Sequence, residues 1–421
     1  MTSGHRIPAV RTRRRRTAGA ELRARRRPVF PAGRRPDGRA LARSAAAFPG
    51  RDPVGRVPDM ILSGFPRLPL RAVLFADGVF ARLEGKTAQG VLRHSTILDT
   101  VAVVDRTHPS ATTASVVAGT GVPVVASLEE ALRFAPEALV VAMTESDHME
   151  AVDGGDGGMR HAPRPPGDLP AFWWEQIDTA VRNGLHVISC LHLQLRHTEF
   201  ADKLTDGQRL VDVRRPYDEL PKYSGRLRRS RAGLVHVAGS DCVVGKRTVA
   251  LQLHREARAR GIDAGYVGTG QTCLLAGCTE GAIIDRAPVF QAAGLVEHLV
   301  QRADPRHDLL IIKGQASVLH PAFGGLATAI LQGSQPDAVV FVHDPRRTHR
   351  YHWEHLPVAD PRSEIRMVEE LGGAPVVAVA TRGRDNVAAL RPLGLPVVDV
   401  LDGDGTAALM DALGPVLPPR P

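Results

Sequence analysis

From about residue 70 the chain alternates short apolar runs with amphipathic stretches. RAVLFA (71–76), DTVAVVD (99–105), ALVVAM (138–143), HVISCL (186–191) and RLVDV (209–213) are short and rich in branched or small apolar residues, so they predict strands. KTAQGVLRH (86–94), SLEEALRFA (127–135) and FWWEQIDTAVRNG (172–184) lie between them with helical spacing. Ser127, with Glu130 three residues on, reads as a capping box. Strictly alternating strands and helices predict a parallel sheet, here a Rossmann-like α/β domain over 68–220. No G-x-G-x-x-G follows the first strand, so a bound dinucleotide is not expected. A Gly/Pro-rich stretch, 153–168, reads as a loop.

A polar, basic segment broken by Gly and Pro, PKYSGRLRRSRAG (221–233), reads as a linker. Beyond it the alternation resumes over 234–418. LVHVAGSD, DAGYVGTG, DLLIIKGQ, DAVVFVHD, APVVAVATRG and PVVDV predict strands, with helices at KRTVALQLHREARARG, PVFQAAGLVEHLVQRA and before DAVVFVHD. The predicted fold class is α/β throughout, a Rossmann-like N-terminal domain followed by a P-loop NTPase-like domain.

Charge changes the picture only at the N-terminus. The whole chain carries a formal +9, but residues 1–57 hold 16 Arg, no Lys and three acidic residues, a net +13, which leaves the remainder at −4. Residues 1–60 have almost no large apolar side chains, so they cannot offset their ordering entropy and predict a disordered basic tail. Nucleic acid is not expected as a partner outside that tail. No run of 18 apolar residues predicts a membrane span, and no apolar stretch follows the arginines as a secretory signal requires. The four cysteines, Cys190, Cys242, Cys273 and Cys278, form no C-x-x-C pair, which fits reduced thiols in a cytoplasmic protein.

The chemistry is concentrated in VHVAGSDCVVGKRT. A strand, a Gly-containing loop and a helix opening at Lys246 make an anion cradle, because consecutive backbone N–H groups and the helix dipole point at one spot. Gly239, Ser240, Asp241, Val244, Gly245, Lys246, Arg247 and Thr248 are the candidate phosphate-binding residues. The spacing is G-x5-G-K, one residue longer than the common phosphate loop, and it resembles dethiobiotin synthetase. Arg247 stands where a magnesium-binding hydroxyl is usual, with Thr248 displaced by one place. Lys313 stands at the strand end where related proteins carry an acid. Three cations, Lys246, Arg247 and Lys313, are thus expected to hold phosphate without a metal. Asp241 and Asp308 are the reserve metal contacts. The His-rich run THRYHWEH lacks the H-E-x-x-H spacing, so no metal site is expected there.

Five segments together resemble one two-domain P-loop family, long of unknown function, that includes D-glutamate N-acetyltransferase. They are KTAQG (86–90), DVRRP (212–216), GSDCVVGKRT (239–248), GTGQT (268–272) and GQASVLHPAFGGL…GSQPDAVVFVHDPRRTH (314–349). In that family the strand before GQ ends in Glu and GQGS replaces GQAS, so Lys313 and Ala316 are departures. The resemblance implies acetyl transfer from acetyl-CoA, as co-substrate, to the amino group of a glutamate-like amino acid. Candidate catalytic groups are His320, His349 and Gln271. Arg214, Thr272, Gln315 and Arg347 are candidate substrate contacts, arginine being suited to a carboxylate. His343 and Cys242 are secondary candidates, the thiol as a nucleophile at a helix N-terminus. Alternatives are an ATP- and Mg-dependent kinase or ligase and a non-catalytic nucleotide-binding protein. A homo-oligomer is expected.

Met60 opens the first apolar segment and serves as an alternative start. A chain beginning there should match the full chain in melting temperature and turnover; a clear loss of either would make the tail structural.

Overall fold

The computed structural model describes residues 65, 67–109, 111–145, 169–217 and 219–414. The arginine-rich segment 1–60 and the Gly/Pro stretch 153–168 lie outside the described residues.

In the N-terminal domain, Leu70–Phe75 (β1) leads to Lys86–His94 (α1), Leu98–Val104 (β2) and Val124–Val125 (β3). Leu128–Ala131 (α2), Ala138–Val141 (β4), Ala171–Arg182 (α3), His186–Ser189 (β5) and Leu210–Asp212 (β6) follow. The strands pair in parallel in the order β3-β2-β1-β4-β5-β6. This is the doubly wound order of dinucleotide-binding folds, reached here without their Gly-rich turn. Ser127 caps α2 as its sequence predicts: its Oγ accepts from Glu130 N at 3.3 Å, and the Glu130 carboxylate accepts from Ala126 N at 3.2 Å. The helix is shorter than expected. It tightens into a 3₁₀ turn and stops at Ala135, which is left-handed at φ 48°.

The second domain runs Gly233–Gly239 (β7), Lys246–Ala259 (α4), Ala264–Gly268 (β8), Gln271–Leu275 (α5), Glu280–Gly281 (β9), Val289–Ala303 (α6) and Leu309–Lys313 (β10). It continues with Gly324–Ser334 (α7), Ala338–Val342 (β11), His349–Arg350 (β12), Trp353–Pro357 (β13), Pro361–Gly372 (α8), Val376–Thr381 (β14), Arg384–Leu390 (α9), Val397–Asp399 (β15) and Gly405–Ala412 (α10). The parallel sheet has the order β15-β14-β11-β7-β10-β8-β9. β7 is therefore central. The chain leaves it to one side through β8, β9 and β10, then returns to the other through β11, β14 and β15. The carboxyl end of β7 is the switch point where open α/β sheets take ligands. The His-rich run forms the antiparallel hairpin β12–β13. Among the described residues no helix is long and apolar enough to cross a membrane.

The polar segment between the domains is docked along α6. Glu297, buried on that helix, accepts from Ser224 N at 2.5 Å and Arg226 N at 2.8 Å. A Cβ on Gly294 would lie 2.4 Å from the carbonyl oxygen of Pro221. Glycine there lets the incoming chain lie directly on the helix.

The two domains meet along a seam beside α1. Ser95 Oγ donates to Leu275 O at 2.7 Å, and Thr96 N donates to Ala276 O at 3.2 Å. Arg247, on the first turn of α4, reaches into the seam and donates through a terminal nitrogen to the Lys86 carbonyl at 2.5 Å. Gly90 gives it room: a Cβ there would lie 2.4 Å from Arg247 Cζ and 2.6 Å from Thr272 Cγ2. Both neighbours are held, so Gly90→Ala should overpack the seam and cost about 1–3 kcal/mol despite alanine's better helix propensity. Urea denaturation checks this; a variant as stable as the parent would mean the seam yields.

Candidate functional site

The loop after β7 is built to turn backbone N–H groups inward. Gly245 has φ 111°, and Val243, a β-branched residue, is held at φ 55°. Left-handed residues alternating with right-handed ones can turn successive N–H groups to one side as an anion nest, and strain of this kind persists where the surroundings over-determine it. Gly239 must be glycine for a different reason, since a Cβ would lie 2.8 Å from Val342 O on the neighbouring strand. Lys246 is buried and donates to Asp241 O at 2.5 Å. Burial pulls its ammonium down to about 8, with the Lys313 charge adding to the effect. Lys313 ends β10 beside the loop, with its Nζ 3.4 Å from Thr269 Oγ1, and burial lowers it too. The Thr269 hydroxyl in turn donates to Lys313 O at 2.8 Å. Gln315 donates to the Thr269 carbonyl, so it braces the loop that carries GTGQT.

Arg247 does not join the two lysines. Its guanidinium lies in the domain seam, which corrects its expected place in the phosphate cradle. Asp241 also turns away from an incoming phosphate. Its Oδ2 accepts from Tyr351 N at 2.8 Å and lies 3.7 Å from Arg347, while Oδ1 is 3.8 Å from both Arg350 and His320 Nε2. Asp241 is a strut between the loop and the β12–β13 hairpin. Asp308 precedes β10, at the opposite end of the strand from Lys313, and pairs with Arg231 at 3.0 Å. Neither reserve carboxylate is placed to serve a metal at the loop. With Lys313 on the acid's strand and Arg247 withdrawn, the residues present do not fit the usual magnesium arrangement. Val244 lies within the loop and Thr248 on the first turn of α4.

His320, a candidate catalytic group, is fixed by backbone donors. Its Nδ1 accepts from Ala322 N at 3.1 Å and Phe323 N at 3.2 Å, so the proton sits on Nε2, facing Asp241. The ring packs on Phe323 and Trp353, and burial holds its pKa down to about 4. At 3.8 Å from Asp241, its Nε2 makes no hydrogen bond. His343 is buried with Nδ1 2.7 Å from Ser240 Oγ, at the root of the loop. His349 is exposed, its Nδ1 2.9 Å from Thr348 Oγ1. Burial raises the Cys242 thiol, which weakens it as a nucleophile.

The structure brings the other motif residues together across the seam. Arg214 donates to Gln271 Oε1 and Asp285 Oδ2, both at 2.7 Å. Gln271 Nε2 and Thr272 Oγ1 lie 3.3 and 3.2 Å from Thr87 Oγ1. Arg347 lies 5.6 Å from the Tyr351 ring centre, and Tyr351 Oη donates to Glu84 Oε1 at 2.8 Å. DVRRP, GTGQT, KTAQG and HDPRRTH thus converge beside the loop. A separate cleft of about 510 Å³ runs along β6, with Arg209, Arg215 and Tyr217 in its wall; no loop residue lines it, so it is not the phosphate cradle.

Sequence reading missed two acids and a histidine. Glu364, buried on α8, accepts from Leu319 N at 3.3 Å, and burial raises its pKa. Glu145 and His192 lie beyond the carboxyl ends of β4 and β5. Glu145 Oε2 accepts from His192 N at 2.8 Å and lies 3.1 Å from His192 Nδ1, and its Oε1 accepts from Leu193 N at 2.8 Å. The one sequence signal was their position after predicted strands.

Comparison with known proteins agrees with this architecture. Residues 221–410 match a family model described as a domain of unknown function, DUF1611_C, P-loop domain, and residues 162–216 match DUF1611_N, a Rossmann-like domain. A protein named D-glutamate N-acetyltransferase from Tritonibacter scottomollicae is 35% identical over 186 residues, 44% of this chain and 54% of the relative. One of the same name from a Pseudoalteromonas species is 35% identical over 187 residues, with the same coverage. The chain thus spans about half the length of these curated relatives. A crystal structure of a DUF1611 family protein from Anabaena variabilis superposes with a TM-score of 0.72 at 29% identity, covering 82% of this chain and 99% of that one.

Ala316, one of the two departures, is left-handed at φ 43°. The glycine expected there by resemblance suits that backbone without a Cβ penalty. Ala316→Gly should therefore be neutral or stabilise by up to about 1 kcal/mol, the relief offset by glycine's freer unfolded chain. A drop in melting temperature would contradict it.

Proposed function

The chain belongs to the DUF1611 family, and we propose that it is an N-acyltransferase that moves an acetyl group from acetyl-CoA to the amine of a glutamate-like amino acid. The observation that carries this reading is the convergence of motif residues from both domains beside a phosphate loop furnished with lysines. Two relatives named D-glutamate N-acetyltransferase support the same chemistry. Coenzyme A carries a pyrophosphate and a 3′-phosphate, which a nest of N–H groups with Lys246 and Lys313 can hold as fixed charge. The ATP-dependent alternative asks for a metal-side hydroxyl and acid, where this chain has Arg247 and Lys313.

Acetyl transfer to an amine needs a base for the ammonium and a donor for the developing oxyanion. We assign the base to His192. Nδ1–H donates to the Glu145 carboxylate, which leaves Nε2 as the basic nitrogen, and Gln194 Nε2 donates to the carbonyls of His192 and Arg214 at 3.3 Å each. Arg214 carries the link to Gln271 in the second domain. Arg347 remains the candidate for the substrate carboxylate.

The purified protein should release free thiol from acetyl-CoA when a suitable amino acid is added, and should do so in excess EDTA. Amine-independent ATP turnover without thiol release would reverse the assignment. His192→Gln should lower kcat by about 10²–10⁴ and leave the KM for acetyl-CoA nearly unchanged. Lys246 gives a pH signature. Its ammonium binds the anion and its neutral amine does not, so with a free-protein value of about 8 affinity should be level below pH 7. Above pH 8 it should fall by up to about tenfold per unit as the proton is lost. Calorimetric titration from pH 6 to 10 reads this directly; a level profile would remove Lys246 from the cradle.

A further inference from the structure

The central sheet stops ordering the site where the ligand loops begin. β7 and β10 pair in parallel as far as Val237 and Lys313, and Gly314 N still donates to Val237 O at 3.0 Å. Beyond that point the phosphate loop and the loop of Gln315 leave their strands separately, and strand pairing no longer joins them. Arg350 spans the two. It is the buried residue of β12, 3% exposed, beside the exposed His349. Its Nη1 donates to Ser240 O at 2.6 Å and to Ser317 Oγ at 3.0 Å, and its Nη2 donates to Leu319 O at 3.1 Å. We propose that Arg350 is the positioning residue of the anion site: it locks the entry of the phosphate loop to the Ser317–Leu319 turn, and so governs anion affinity through the loop without touching the anion. This rests on the reading that the loop binds phosphate.

The contacts fall where the loop leaves its strand. Ser240 is buried; its N–H donates to Val342 O at 3.0 Å, and its Oγ lies 2.7 Å from His343 Nδ1. With its carbonyl taken by Arg350, the peptide plane between Ser240 and Asp241 is fixed. The Asp241 N–H, on the opposite side of that trans plane, points away from the guanidinium, and a flip of the plane would break the bond. The next residue of the hairpin grips the next residue of the loop, since Tyr351 N donates to Asp241 Oδ2 at 2.8 Å. The Ser317–Leu319 turn is held from its other side as well: Leu319 N donates to Glu364 Oε1 at 3.3 Å, which places the turn between α8 and the hairpin. The Asp241 carboxylate, 3.8 Å from Nη1, offsets part of the buried charge. A guanidinium out of water is costly, but its planar fork reaches acceptors on two loops at once, which a single ammonium cannot.

The test is calorimetric titration of the full chain with inorganic pyrophosphate and with coenzyme A, using the parent, Arg350→Met, Arg350→Lys, Ser317→Ala and Lys246→Ala. Arg350→Met should weaken both ligands by about 10–100-fold, the scale of one charge-assisted hydrogen bond, with the stoichiometry of binding kept at the parent's. Arg350→Lys should weaken them about as much as Arg350→Met, because one ammonium cannot serve both loops. Ser317→Ala removes one of the three bonds and leaves the charge in place, so it should cost about three- to tenfold. A fall in stoichiometry with the affinity of the remaining sites unchanged would mean that Arg350 only keeps the chain folded, and would overturn the proposal. Parental affinity in Arg350→Lys would overturn it too, since charge alone would then suffice. If Arg350→Met does not fold, Ser317→Ala decides, and unchanged affinity there sinks the proposal. If the Arg350 variants bind like the parent while Lys246→Ala has lost binding, the positioning role fails and the phosphate reading stands. If the parent binds neither compound, the phosphate reading fails and the proposal falls with it.

Discussion

A guanidinium out of water needs acceptors, and Arg247 finds one in the other domain. Its bond to the Lys86 carbonyl fixes where α1 begins relative to where α4 begins. The rest of the site follows from that registration. Thr87 falls opposite Gln271 and Thr272, Arg214 reaches Gln271 and Asp285, and Tyr351 reaches Glu84. Polar contacts cross the seam beside an apolar core shared by both domains, and their directionality narrows the geometry that burial alone would allow.

The alternation of elements was legible because period-two and period-3.6 patterns report burial directly. Each strand predicted over 71–213 is present within two residues. The position of Lys246 at the start of a helix was legible too, since a Gly-Lys pair after an apolar strand leaves few other arrangements. The direction of its neighbour was not. Arg247 reads as a phosphate ligand in one dimension, and only the second domain's neighbour explains its burial. The state of His320 was hidden for a similar reason: its tautomer is set by two backbone N–H groups at the start of α7, which no residue pattern announces. The hairpin of THRYHWEH was hidden because its charged faces lack a period-two apolar signal.

The carboxylate of the loop has a structural use. A phosphate loop that depends on magnesium keeps a carboxylate free to face the ion. Here the loop's own carboxylate, Asp241, is turned into the protein, where it holds Tyr351 and faces Arg347, Arg350 and His320. The acid is a part of the frame, and it ties the loop to the β12–β13 hairpin.

The clamp of Glu297 on the chain between the domains now acquires a meaning beyond folding. A connector held at Ser224 and Arg226, and laid against Gly294, has little slack with which to let the halves swing. The span between α1 and α4 is then set once, when the protein folds. The connector works as a calliper with its screw tightened, and the polar contacts of Thr87 and Arg214 fall where that span puts them.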